Sequence, residues 1–217
     1  QQFGGSIGGP NIKDKAHYFF AIDRQGFDRP VAIRFNRNVA GVCNTAIYGQ
    51  IIGGVDCLSD EEGDTAELLD NTAILGKVDI QLNTTNTLSI RYNFSDFTGE
   101  NFFSTAGGVA GTVQAAAEDG PNLEANTSHS IVVSNTSLIG NNKFNEIRFQ
   151  YSFEERPRLG QSDDLPTIVI NDTGRFGKQW FLPITSDHSR IQITDNFTNL
   201  FGDHDLKMGA DINLTDT

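Results

Sequence analysis

Long hydrophobic runs are missing from this chain. None approaches the ~18–20 consecutive apolar residues of a transmembrane helix, which leaves only short amphipathic strands as a means of crossing a bilayer. Basic residues are also in deficit. Sixteen Lys and Arg stand against 28 Asp and Glu, a formal net charge of −12. Such a chain repels phosphate, so nucleic acid is excluded as a general partner. Histidine is sparse: His17, His129, His188 and His204 share no metal-ligand spacing with one another or with cysteine, and H-E-x-x-H is absent. No metal and no cofactor is expected. The acid-rich run Asp60-Glu61-Glu62-Gly63-Asp64 lacks the spaced ligands of an EF-hand and reads as a solvated loop.

Methionine occurs once, at Met208, and no charged-then-apolar leader precedes the patterned sequence. The chain therefore reads as an internal piece of a longer protein. Cysteine occurs twice, at Cys43 and Cys57, within one irregular stretch rich in Gly, Asn and Asp. A zinc site needs more ligands than this stretch supplies. The short spacing favours a disulfide, which implies an oxidising compartment. Catalysis is not expected. Gly4-Gly5-Ser6-Ile7-Gly8 matches the G-x-S-x-G elbow, but Pro10 and a polar turn follow where that motif needs a helix.

What the chain does have is alternation. From Ile74 to Phe94, Ile74, Gly76, Val78, Ile80 and Leu82 fall on one face of a strand, and Lys77, Asp79 and Gln81 on the other. After the polar turn Asn83-Thr84-Thr85-Asn86, Leu88, Ile90, Tyr92 and Phe94 oppose Ser89, Arg91, Asn93 and Ser95. Period-two patterning of this kind marks a sheet apolar on one side and polar on the other. It suits a membrane barrel wall and equally a soluble sheet with one wet face.

The rest of the chain repeats the pattern. Strands are expected near residues 2–9, 16–27, 124–139, 144–154, 189–200 and 206–214, giving with the central pair eight strands in four hairpins. The hairpin turns are short, whereas the connections at about 34–70, 98–123 and 156–187 are long. Long loops without structure of their own are uncommon in compact soluble domains, and short turns on one rim with long loops on the other are the pattern of outer-membrane barrels. The expected fold is all-β: an antiparallel up-and-down meander of about eight strands, part of a large transmembrane β-barrel. The rival is a soluble secreted β-sandwich or adhesin-like binding module.

Gln2-Phe3-Gly4-Gly5-Ser6-Ile7-Gly8-Gly9-Pro10, followed by Lys13-Asp14-Lys15 and Tyr18-Phe19-Phe20, resembles the opening barrel segment of TonB-dependent outer-membrane receptors, especially the Oar-like group. Similar short motifs recur at Gly76-Lys77-Val78-Asp79, at Leu88-Ser89-Ile90-Arg91-Tyr92-Asn93, at Asp195-Asn196-Phe197-Thr198 and from His204 to Asp211. The resemblance implies a barrel of about 22 strands with a plug, lodged in the outer membrane of a Gram-negative bacterium. It implies as partners the outer-membrane lipid, a TonB energy-coupling complex reached through an N-terminal region not in this chain, and an extracellular ligand. On that reading Lys77, Asp79, Arg91, Glu146, Arg148, Lys207 and Asp211 line the lumen.

Overall fold

The computed structural model describes residues 1–35, 38, 57, 59, 62–102, 122–160, 168–170, 174–176 and 181–217. The wall consists of β1 (Gln2–Ile12), β2 (Ala16–Ile33), β3 (Gly63–Asn83), β4 (Asn86–Phe102), β5 (Asn122–Ile139), β6 (Lys143–Glu155), β10 (Asp187–Phe201) and β11 (His204–Asp216). Three short strands, β7 (Arg158–Gly160), β8 (Ile168–Ile170) and β9 (Gly174–Phe176), lie between β6 and β10. The wall strands are hydrogen-bonded in chain order, each antiparallel to the next. This is the expected up-and-down meander. Among the described residues β1 pairs only with β2 and β11 only with β10, so the sheet is open.

The turns show why the chain reverses where it does. Between β1 and β2, Asp14 takes φ 59°, a left-handed conformation that Asp tolerates, and the Lys15 N–H donates back to the Ile12 carbonyl at 3.1 Å. Between β3 and β4 the Asn83 side chain accepts from the Thr85 N–H at 2.9 Å, an Asx turn. Gly140 and Gly202 supply positive φ at the other two reversals, where a β-carbon would strain the backbone. All four turns thus sit on one rim.

Registration is what turns eight amphipathic strands into two distinct faces. Ile7, Phe20, Gly76, Tyr92, Ile131, Tyr151, Ile191 and Leu214 form one cross-strand row spanning the whole sheet. The adjacent row on the same face runs through Tyr18, Val78, Ile90, Val133, Phe149, Ile193 and Ile212. A one-residue slip at any interface would turn the neighbouring strand inside out, so the apolar pattern fixes the register. The belt has a sharp upper border: Arg24, Thr72, Asp96, Thr127, Glu155 and Asp187 make the row in which the same face turns polar.

Among the described residues nothing covers this face as a core would. Ile90, Tyr92, Phe149 and Ile212 are exposed, and Ile80 is half-buried. A β-sandwich would bury all five against a second sheet. Among the described residues the only other sheet is the two-stranded β8–β9 pair.

The structure corrects the strand limits. β2 runs on to Ile33, β3 starts at Gly63 rather than after Asp70, and β4 continues to Phe102. The connection at 156–187 also contains the short strands, with β7 pairing with the upper end of β5 beyond the end of β6. The reason is physical. Apolar alternation stops at the polar border, but backbone pairing does not need it and continues above the belt, where polar residues such as Asp28, Arg29, Glu67 and Asp70 are mixed with Phe27, Leu68 and Leu69. Cys43 lies outside the described residues.

Candidate functional site: the polar face of the sheet

All seven side chains expected to line a lumen fall on the face opposite the apolar belt, as strand parity requires. They do not converge on one point. Lys77 on β3 faces Arg91 on β4 across the ladder. Two cations placed directly opposite repel, and Asp79, two residues along the strand, relieves this by holding the Lys77 Nζ at 2.8 Å. Asp79 in turn begins a row through Ser89, Ser134, Arg148, Thr194 and Asp211. Arg148 is paired with Glu146 on its own strand at 2.7 Å, and Asp211 accepts from the Gln192 amide at 2.7 Å. Lys207 stands apart near the last turn, 3.3 Å from Asp205.

These pairs are half-exposed, and each is worth about 0–1 kcal/mol at most. Their importance lies in charge placement. Lys77, Arg148 and Lys207 each have a carboxylate two residues away on their own strand, so cations and anions are interspersed on a wet, charged face. Such a surface accommodates water and polar solutes. Among the described residues no group of three or more His, Cys, Asp or Glu is arranged to hold a metal ion.

Two features escape a reading of the sequence. The first is the pair Arg29–Glu67, opposite each other on the upper parts of β2 and β3. The Glu67 carboxylate is fully buried and meets Arg29 as an ion pair without a well-formed hydrogen bond. Both residues lie above the belt, where alternation of apolarity gives no signal. The second is a recess of about 340 Å³ on the polar face between β5, β6, β10 and β11, lined among others by Ser128, Ser130, Ser152, Glu154, His188 and Arg190. Serines spaced by two on neighbouring strands are its only trace in the sequence, and they meet only once the register is known.

On the apolar face the polar groups are confined and satisfied. The Tyr92 hydroxyl and the His129 Nδ1 share a hydrogen bond at 2.7 Å, and the His129 ring lies 5.1 Å from that of Phe94. Near the turns, Asn145 donates to Asp195 at 2.9 Å, and the Ser137 hydroxyl donates to Asn86 at 2.6 Å. Aromatic and amphipathic side chains at both edges of an apolar belt are the mark of a bilayer interface.

Residues 62–217 match the model of the outer membrane beta barrel domain family, and the chain belongs to that family. β1 and β2 precede the matched region and continue its sheet in register. No curated protein and no solved structure matches the chain. The apolar belt is therefore the lipid-facing surface of an outer-membrane barrel wall, and the charged face is its opposite side.

Proposed function

We propose that this outer-membrane barrel wall belongs to a TonB-dependent receptor of the Oar-like kind, which takes up an extracellular ligand with energy supplied through an inner-membrane coupling complex. One observation carries the reading: eight wall strands run in sequence and, among the described residues, still leave two free edges, β1 and β11. Unpaired N–H and C=O groups each cost several kcal/mol in hydrocarbon, so an open sheet cannot rest in a bilayer. Further strands must complete the wall, and the barrel is wider than eight strands. Wide barrels enclose a wet lumen that needs a plug if the membrane is to stay sealed, which is the architecture of energised transporters. The opening motif from Gln2 to Pro10 and the polar, charged face support the same reading.

Long connections on the rim opposite the turns capture the ligand on this account. The first of them carries Cys43 and Cys57, the pair proposed to form a bridge, and no cysteine among the described residues is free. The wall itself performs no catalysis. The test is ligand accumulation by cells carrying the intact protein, with and without a protonophore. Energised uptake predicts that accumulation collapses when the proton gradient is dissipated or the coupling complex is deleted. Accumulation that persists unchanged would mean a passive pore.

A further inference from the structure

Resting on the transporter reading above, we propose that the recess between β5, β6, β10 and β11 is a binding subsite for a neutral polyhydroxylated ligand, a sugar unit. Its floor comes from small side chains. Ser130 and Ser152 are direct cross-strand neighbours, and Ser128 sits opposite Glu154 in the next row. The adjacent row toward the turns carries the longer Gln150 and Gln192 on β6 and β10, so the serine positions form a depression in the wall. The volume, about 340 Å³, falls within the range of small-molecule sites, about 300–1,000 Å³. It lies in the half of the wall nearest the long connections, where an incoming ligand first meets the barrel.

The chemistry selects the ligand. Asp216 borders the recess but stands by strand parity on the opposite face, in register with Ser189. On the recess's own face the charges are one carboxylate, Glu154, and one guanidinium, Arg190, which cancel. Both are already engaged. Glu154 accepts from the Asn126 amide at 2.8 Å and lies 3.5 Å from the Arg156 Nε. Arg190 donates to Asn213 at 2.9 Å and to Gln192 at 3.0 Å. The His188 ring shares a hydrogen bond with the Ser186 hydroxyl at 2.7 Å. An ionic ligand would find its counter-charge held by the protein. Hydroxyls and an amide remain to offer: Ser128, Ser130, Ser152 and Gln150 each donate and accept. A ring of hydroxyls, which also donate and accept at each position, is the complement of that surface.

The experiment uses the intact outer-membrane protein in detergent, titrated calorimetrically with neutral oligosaccharides of glucose, mannose, galactose and xylose, with glycerol phosphate and a neutral tripeptide as comparators. At least one oligosaccharide should bind. Ser152→Trp, which fills the recess, should abolish binding, and Gln150→Leu, which removes one donor and one acceptor at constant size, should weaken it about tenfold. Thr136→Trp, on the same face but outside the recess, should bind as the wild type does. Heat-modifiable migration on gels establishes that each variant is folded. Binding by none of the oligosaccharides, equal loss in Thr136→Trp and Ser152→Trp, or recess-dependent binding of a comparator instead would overturn the proposal. Protonophore-insensitive accumulation would sink the energised-uptake reading and leave the titration result standing, so the two failures are distinguishable.

Discussion

Ile193 and Thr194 are consecutive on β10 and point to opposite faces, which makes them a matched pair for asking what each face meets. Ile193 lies between Phe149 and Ile212, inside the apolar belt, and is 41% exposed. Thr194 lies between Arg148 and Asp211. A lysine at Ile193 must place its ammonium in or near hydrocarbon, at a cost of about 2–4 kcal/mol close to the midplane. Loss of two apolar cross-strand pairs adds about 0.2–1 kcal/mol for each. The total, about 2–6 kcal/mol, is a large part of the 5–15 kcal/mol that holds a typical domain together. A lysine at Thr194 enters the lumen between one cation and one anion, whose effects largely cancel, so the change should stay below about 1 kcal/mol. Urea unfolding of the intact protein in lipid vesicles reads the difference, and assembly into the outer membrane reads it in cells. Ile193→Lys should assemble poorly and unfold at clearly lower urea, and Thr194→Lys should match the wild type. Equal behaviour of the two variants would refute the assignment of faces.

Other perturbations follow from the same geometry. Non-reducing mass spectrometry should find the Cys43 and Cys57 peptides linked, a bridge whose loop closure is worth ~3 kcal/mol; two freely alkylated thiols would rule it out. A β-carbon at Gly209 would meet the Asp195 carbonyl at 2.8 Å, whereas at Gly76 it would meet nothing within 4 Å. Gly209→Ala should therefore cost about 1–3 kcal/mol in a urea titration and Gly76→Ala less than about 0.5 kcal/mol; the reverse order would contradict the register of β10 with β11. Arg29→Met leaves the buried Glu67 carboxylate without its counter-charge. Because Arg29 itself is largely exposed, the cost should fall below that of a fully buried pair, at about 1–3 kcal/mol. Faster hydrogen exchange in the upper halves of β2 and β3 should report it, and adding Glu67→Leu should restore protection; no recovery in the double variant would count against the pair.

The sequence carried the wall well because lipid and lumen impose a strict period of two. Val78 and Ile90, on two different strands, were each placed on the apolar face from spacing alone, and registration then put them in one row with Phe149 and Ile193. It carried the ribbon above the belt poorly. Asp64, Glu67 and Asp70 read as an acidic loop, yet all three are strand residues paired with β2. Where polar and apolar residues are mixed without a period of two, the backbone ladder still maintains the strand, and a ladder leaves no imprint on side-chain hydropathy. The lumen charges were legible as a set, since each alternates with an apolar neighbour. Their pairing was not, because which row meets which is set by the turns and by the bulge between Gln81 and Asn83. The serine recess was invisible for the same reason: its residues come from four strands and meet only through register.

The central claim is that one face of this sheet meets lipid and the other meets water. Nitroxide labels placed one at a time from Leu88 to Ser95 on β4, in the intact protein in lipid vesicles, test it most directly. The account predicts that oxygen, which concentrates in lipid, collides most with labels at Leu88, Ile90, Tyr92 and Phe94. A water-soluble nickel chelate should collide most with those at Ser89, Arg91, Asn93 and Ser95, in strict alternation. Uniform access by the chelate at all eight positions, or alternation of the opposite phase, would contradict it.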